Sequence, residues 1–367
     1  MRRISDTIAR LGATGQWAPR GDKDCGSALS PLTDFGANPG ALSAWTHIPN
    51  SVADMPLVVV LHGCTQSAAG YDRGAGWSEL ADRFGFALLF PEQSRSNNPN
   101  NCFNWFLPED TKRGSGEAAS VRAMIAAMIR LHPIDPARIF ITGLSAGGAM
   151  TSVMLATYPD VFAGGAIIAG LPHAAANTLP QAFDRMRGHG HPSEDAYADA
   201  IRSASPHRGP WPAISVWHGS ADATVSAANA GHIIGQWQTL QGLAESPDRE
   251  TREGRHLHRV WHGTDGRVQL EEHLIGDMGH GTPLATQGEE RCGIPMPFML
   301  DVGIPSTWQI ARAWGLLGAE REDRSSQASA TSIQPGPHED STPRPIPAGS
   351  SIQDTIEAAL RAAGLMR

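Results

Sequence analysis

Five short apolar runs punctuate this chain: Leu57–Leu61 (LVVVL), Phe86–Phe90 (FALLF), Ile139–Thr142 (IFIT), Gly165–Ala169 (GAIIA) and Ile214–His218 (ISVWH). Each is too short for a buried helix, and most are rich in β-branched or aromatic side chains. They read as strands buried on both faces. Between the second and third, Glu117–Leu131 sets Ala118, Val121, Met124, Ile125, Met128 and Ile129 on one face, the spacing of an amphipathic helix. Leu42–Ile48, His256–Trp261 and Val268–Ile275 read as further strands, the first at an antiparallel edge. Strands alternating with helices predict an α/β protein with a mostly parallel central sheet and helices on both faces.

The same patterning divides the chain. Residues 1–35 read as an N-terminal extension, with Ile4, Ile8 and Leu11 on one helical face. Residues 36–319 carry the strand–helix rhythm. Within them, 172–211 is long for a plain connection and reads as an insertion over a substrate crevice, with helices near Pro180–Arg187 and Ser193–Ser203. Residues 320–349 turn to Ser, Thr, Pro and charge, a linker that buries too little apolar surface to order itself. Residues 350–367 end the chain with a short amphipathic helix bearing Ile352, Ile356, Leu360 and Ala363 on one stripe.

Composition narrows the function classes. The 367 residues are 41% hydrophobic and carry a net charge of −8, and no basic cluster forms a phosphate-binding face, so nucleic acid is not an expected partner. No apolar run approaches the ~20 residues of a transmembrane helix. The N-terminus lacks the continuous apolar core of a secretory signal, which points to the cytoplasm. Four cysteines in so long a chain do not define a disulfide scaffold.

The candidate chemistry begins at Gly143-Leu144-Ser145-Ala146-Gly147. With 40 Gly in the chain, a G-x-S-x-G match arises by chance roughly 0.3 times, so its flanks must decide. A strand runs into it and a helical pattern follows, with Met150, Val153, Met154 and Tyr158 spaced to face the sheet. Strand, sharp turn and helix are what a nucleophile elbow requires. A nucleophilic serine then needs a base and an orienting acid, in the order Ser, Asp, His. Asp222 follows the strand Ile214–His218, and His280 follows the strand Val268–Ile275. Ser145, Asp222 and His280 are the expected triad; Asp277, three residues before His280, is the weaker orienter.

The oxyanion hole is expected from the backbone N–H groups of Ala146 and Cys64, the latter in the loop His62-Gly63-Cys64-Thr65-Gln66. A Cys64–Cys102 bridge would bring Asn101–Phe106 beside the nucleophile; two unpaired buried thiols are the other reading, and Cys25 with Cys292 stays open. His256 with His258, and His189 with His191, are candidate metal pairs, but neither has a third ligand at convincing spacing. No metal and no cofactor are therefore expected.

The stretches LHGCTQSAAGYD (61–72), GWSELADRFGFALLFPEQ (76–93), NNPNNCFNWF (97–106), GLSAGGAMTSVMLATYPDVFAGGAIIAGLPH (143–173), WHGSADATV (217–225) and GHGTPL (279–284) resemble the poly(3-hydroxybutyrate) depolymerase family of esterases, related to feruloyl and acetylxylan esterases. The resemblance implies an α/β-hydrolase fold, the same triad and oxyanion hole, and a polyester or oligomeric ester substrate. It also implies an aromatic residue beside the polymer crevice, matched by Trp105, and we take its neighbour Asn104 and Gln66 as further substrate contacts. Secreted family members commonly carry a signal peptide and a separate granule-binding domain. Neither is evident here, which favours soluble or amorphous oligomers or small esters over crystalline polymer. The alternatives are an esterase for acetylated or feruloylated polysaccharide and a non-catalytic binding protein on the same fold.

Overall fold

The computed structural model describes residues 28–50 and 53–318, all within the unit Ser27–Arg321. The N-terminal Ile4/Ile8/Leu11 stripe, Cys25, the 320–349 linker and the C-terminal helix lie outside the described residues. In chain order the elements are β1 (Ser30–Pro31), β2 (Ser43–His47), β3 (Met55–Leu61), α1 (Ala68–Ala75), α2 (Trp77–Phe84), β4 (Ala87–Glu92), α3 (Gly116–Leu131) and β5 (Ile134–Leu144). There follow α4 (Ala146–Thr157), β6 (Gly164–Ile168), α5 (Leu179–Met186), α6 (Glu194–Ala204), β7 (Ala213–Gly219), α7 (Ala228–Gln241), β8 (Arg249–Glu253), β9 (His256–His262) and β10 (Val268–Ile275). The chain then closes with β11 (Thr282–Leu284), β12 (Met299–Asp301) and α8 (Ser306–Ala313).

Ten strands form one sheet in the order β1-β2-β4-β3-β5-β6-β7-β10-β9-β8. The stretch from β4 to β10 is parallel throughout, and antiparallel pairs flank it on both sides. This is the α/β-hydrolase fold. Period-2 side chains explain why helices cover both faces. Leu57, Val59 and Leu61 of β3 point into a core with Val121, Met124 and Met128 of α3 and Met150 and Val153 of α4. Val58 and Val60 point the other way, against Tyr71 of α1, Leu80 of α2 and Ile310 of α8. With both faces covered, the central strands need unbroken apolar runs, which is how they read.

The differences lie where that logic weakens. β8 (RETRE) is exposed at every position and pairs antiparallel to β9, so no apolar pattern marks it. Its charges suit an edge strand. Strand β2 is antiparallel to β4, but β1 lies outside it. Leu29, Leu32 and Phe35 are buried, so packing begins ahead of Gly36. Helix α4 is buried at all twelve positions and not only along the stripe read from sequence. Segment 172–211 holds α5 and α6 near their expected positions. It is anchored on α7, where Gln236 Nε2 donates to the carbonyls of His173 and Tyr197, both at 3.1 Å.

Candidate active site

Ser145 sits between β5 and α4 with φ 58° and ψ −117°. A non-glycine residue there carries strain of roughly 1–3 kcal/mol, which surrounding packing must hold. The flanking glycines show how. A Cβ on Gly147 would lie 2.4 Å from the Leu61 carbonyl oxygen and 2.5 Å from that of His62. One on Gly143 would meet Gly147 at 2.5 Å. Only hydrogen fits at either place, so the elbow closes against the end of β3. The Ser145 N–H is held by the Ile168 carbonyl at 2.9 Å.

The expected base and acid come from the same sheet edge. Because β5, β6, β7 and β10 run parallel in register, the turns after them leave from one side. His280 Nδ1 lies 2.6 Å from Asp222 Oδ2, and the Asp222 carboxylate is buried. The other oxygen, Oδ1, accepts from the N–H groups of Thr224 and Val225, each at 2.8 Å. The loop carrying His280 is tied to the β7 end, where Ala221 N donates to the Met278 carbonyl at 3.0 Å. Burial alone would raise the Asp222 pKa; hydrogen bonds from His218 and His280 outweigh it and hold the carboxyl well below the usual range. Asp277 instead donates its backbone N–H to Ser220 Oγ at 3.0 Å. Among the described residues no hydrogen bond joins Ser145 Oγ to His280, and catalytic contacts of this kind often tighten only with substrate bound.

Cys64 and Cys102 are joined by a disulfide, with Cα atoms 4.3 Å apart and a sequence separation of 38. Closing a loop of that length contributes about 4 kcal/mol in the chain-entropy account. Cys64 lies at the loop after β3, against which Gly147 is packed, so the Cys64 and Ala146 backbones border the same elbow. Neither N–H donates to another group among the described residues. Among the described residues Cys292 is an unpaired, buried thiol, and burial pushes it up to about 12.

The chain matches the family described as "Esterase PHB depolymerase" over residues 42–260. Poly(3-hydroxyalkanoate) depolymerase C of Paucimonas lemoignei is 43% identical over 294 residues, 79% of this chain and 71% of that protein. The chain belongs to the PHB depolymerase esterase family. Feruloyl esterase B of Talaromyces stipitatus is 30% identical over 266 residues, 70% of this esterase and 73% of that protein. Among solved structures, an acetyl xylan esterase from Aspergillus awamori superposes with a TM-score of 0.67 at 22% identity, over 78% of this chain and 99% of that one. That likeness is one of fold.

In the esterase, the residues expected to touch substrate are well packed. Trp105 is only 8% exposed and meets Phe106 edge-on, at 5.4 Å between ring centroids. Asn104, 6% exposed, accepts from Asn98 Nδ2 at 2.9 Å. Gln66 Oε1 accepts from Gly63 N at 2.8 Å, and its Nε2 points to the Pro297 carbonyl at 3.5 Å. In this geometry Asn104 and Gln66 brace their loops.

Two features of the site escaped the sequence reading. The first is His218, fully buried on β7, whose Nε2 lies 2.8 Å from the Val225 carbonyl and 3.4 Å from Asp222 Oδ2. A carbonyl can only accept, so Nε2 carries the proton and shares it with the acid. Its signal was the i,i+4 spacing to Asp222 in WHGSADATV. The second is a polar cluster behind the loop expected to form the oxyanion hole. Glu117 Oε1 accepts from Gln93 Nε2 at 2.6 Å, and Oε2 accepts from Asn104 N at 2.8 Å. Gln93 also donates to the Cys102 carbonyl, and its N–H reaches His62 Nε2. Contacts spread over so many segments leave no local pattern.

Burial pushes the Glu117 carboxyl up to about 8, against the hydrogen bonds of Asn104 and Gln93. A raised carboxyl contributes stability in full below its unfolded pKa and loses it as pH rises through the folded one. Wild type should therefore lose up to a few kcal/mol between about pH 4.5 and 8 from this group. Urea midpoints across that range should fall less steeply for Glu117→Gln, whatever the absolute cost of setting its amide against the Asn104 N–H. An unchanged slope would remove Glu117 as the cause.

Proposed function

We propose that this esterase cleaves 3-hydroxyalkanoate-type esters, polymeric or oligomeric, through a covalent acyl-enzyme on Ser145. The observation that carries the reading is the strained serine elbow on the same sheet edge as a His280–Asp222 pair at 2.6 Å. With Asp222 on Nδ1, that nitrogen holds the proton and Nε2 keeps a lone pair for the Ser145 hydroxyl. Ser145 Oγ attacks the ester carbonyl as His280 takes its proton. The N–H groups of Cys64 and Ala146 meet the developing oxyanion. Collapse expels the alcohol, which in a polyester is the hydroxyl end of the next unit, protonated by His280. Water, deprotonated by His280, then releases the acid. The buried edge of Trp105 would border the acyl chain, and segment 172–211 would cover the crevice.

The substrate class rests on the 43% identity to a poly(3-hydroxyalkanoate) depolymerase, against 30% for a feruloyl esterase. The latter keeps a polysaccharide esterase as the second reading. Initial rates on a 3-hydroxybutyrate trimer and on acetylated xylan decide between them. The trimer should be cleaved at least roughly tenfold faster in kcat/KM, a difference of about 1.4 kcal/mol in transition-state stabilisation. A preference for xylan would reverse the assignment.

A further inference from the structure

We propose that His258, Glu271 and His273 form a binding site for a divalent transition-metal ion of the zinc class, apart from the ester-cleaving centre. The sequence offers His256 and His258 on one strand face without a third ligand. The sheet supplies it from the neighbouring strand. β9 and β10 pair antiparallel with His258 opposite His273, and Glu271, two residues from His273, shares that face. One ligand atom from each of the three lies within 4.8 Å of the others. His258 Nε2 is 3.3 Å from Glu271 Oε1, and His273 Nε2 is 3.9 Å from Glu271 Oε2.

Ligands around tetrahedral zinc stand roughly 3.3–3.5 Å apart, given bonds near 2.0–2.1 Å. The set needs only small side-chain adjustments to close. Its composition, two imidazoles and a carboxylate, suits zinc with one position left for water. The outer contacts fit as well. His256 Nε2 lies 2.9 Å from His273 Nδ1, so a proton on that Nδ1 leaves the His273 Nε2 lone pair facing Glu271. Trp217 of β7 stacks flat on His273, at 3.6 Å and 3°, and limits its ring rotation. The three ligands border an open cavity of about 360 Å³, shared with Arg249, Glu253, Gln309 and Arg312, which gives the ion a way in. Arg312 turns part of its charge toward Glu290, 3.7 Å away.

The location says what occupancy would do. β10 runs on to His280, and β7, which carries Trp217, runs on to Asp222. An ion here ties β9 to β10 beneath the acid–base half of the active site, so its effect is read in stability. The test uses the full chain stripped with a chelator and dialysed against Zn²⁺, with bound metal counted by mass spectrometry. About one Zn²⁺ per chain is expected, with Tm raised roughly 4 °C at free zinc 100 times Kd. Co²⁺ in place of zinc should give the visible absorption of a tetrahedral site. His258→Ala and the near-isosteric Glu271→Gln should each weaken zinc binding by at least roughly 100-fold, while Ser145→Ala should leave it unchanged. His256→Phe should weaken it by roughly 10–100-fold, as loss of an orienting partner does. No stoichiometric uptake by wild type, or uptake that survives both ligand substitutions, overturns the proposal.

Discussion

Replacing Ser145 with Ala is expected to lower kcat for ester hydrolysis by roughly 10⁶-fold, leaving only the background supplied by binding and the oxyanion donors. The protein should stay folded, because the side chain caps nothing and its backbone N–H bond to Ile168 is kept. A second substitution separates chemistry from strain. Ser145→Gly should be as inactive as Ala yet melt higher, since glycine occupies φ 58° without penalty and the gain is on the order of 1 kcal/mol. A fluorophosphonate probe should label wild type and neither variant. Equal labelling of Ser145→Ala would place the nucleophile elsewhere.

Asp222→Asn is expected to cost about 10⁴-fold in kcat, with a small change in KM. The amide can present its N–H to His280 Nδ1, turning the ring to the tautomer whose Nε2 carries the proton. That ring cannot then act as base. The buried carboxylate also predicts a stability effect of definite sign. Its pKa is held low in the folded state, so its contribution is present above the unfolded value near 4 and is lost as pH falls toward the folded value. Wild type should therefore lose more stability than Asp222→Asn between roughly pH 4 and 2, as read from thermal melts. Parallel acid profiles for the two proteins would count against a low carboxyl pKa at this position.

The framework that carries the proposed triad was legible because the parallel sheet imposes it. Buried strands demand runs such as LVVVL and IFIT, and the turns after them all open on one edge. Ser145, Asp222 and His280 were therefore proposed by asking which reactive residue follows which strand. Legibility failed where partners meet across elements with no periodic signature. Glu117 read as one polar position on the amphipathic helix α3, yet it is buried and collects donors from Gln93 and Asn104. His218 read as the last residue of a strand, not as a second imidazole on the acid. Glu271 and His273 are unremarkable in VQLEEHLI until antiparallel pairing sets His273 opposite His258. The fully exposed strand β8 was invisible for the opposite reason, having no buried face at all.

Through the Cys64–Cys102 link, the loop proposed to hold the oxyanion is exposed to the thiol chemistry of its surroundings. One sulfur belongs to the residue whose backbone is to receive the oxyanion, the other to the segment leading to Trp105. Where glutathione keeps cysteines reduced, that clasp opens, and the loop proposed to stabilise the oxyanion keeps only hydrogen bonds such as Gly63 N to Gln66 Oε1 and Thr65 N to the Asn100 carbonyl. Newly made chains would then be poor catalysts until oxidised, so closing of this clasp and the onset of ester hydrolysis would be a single event.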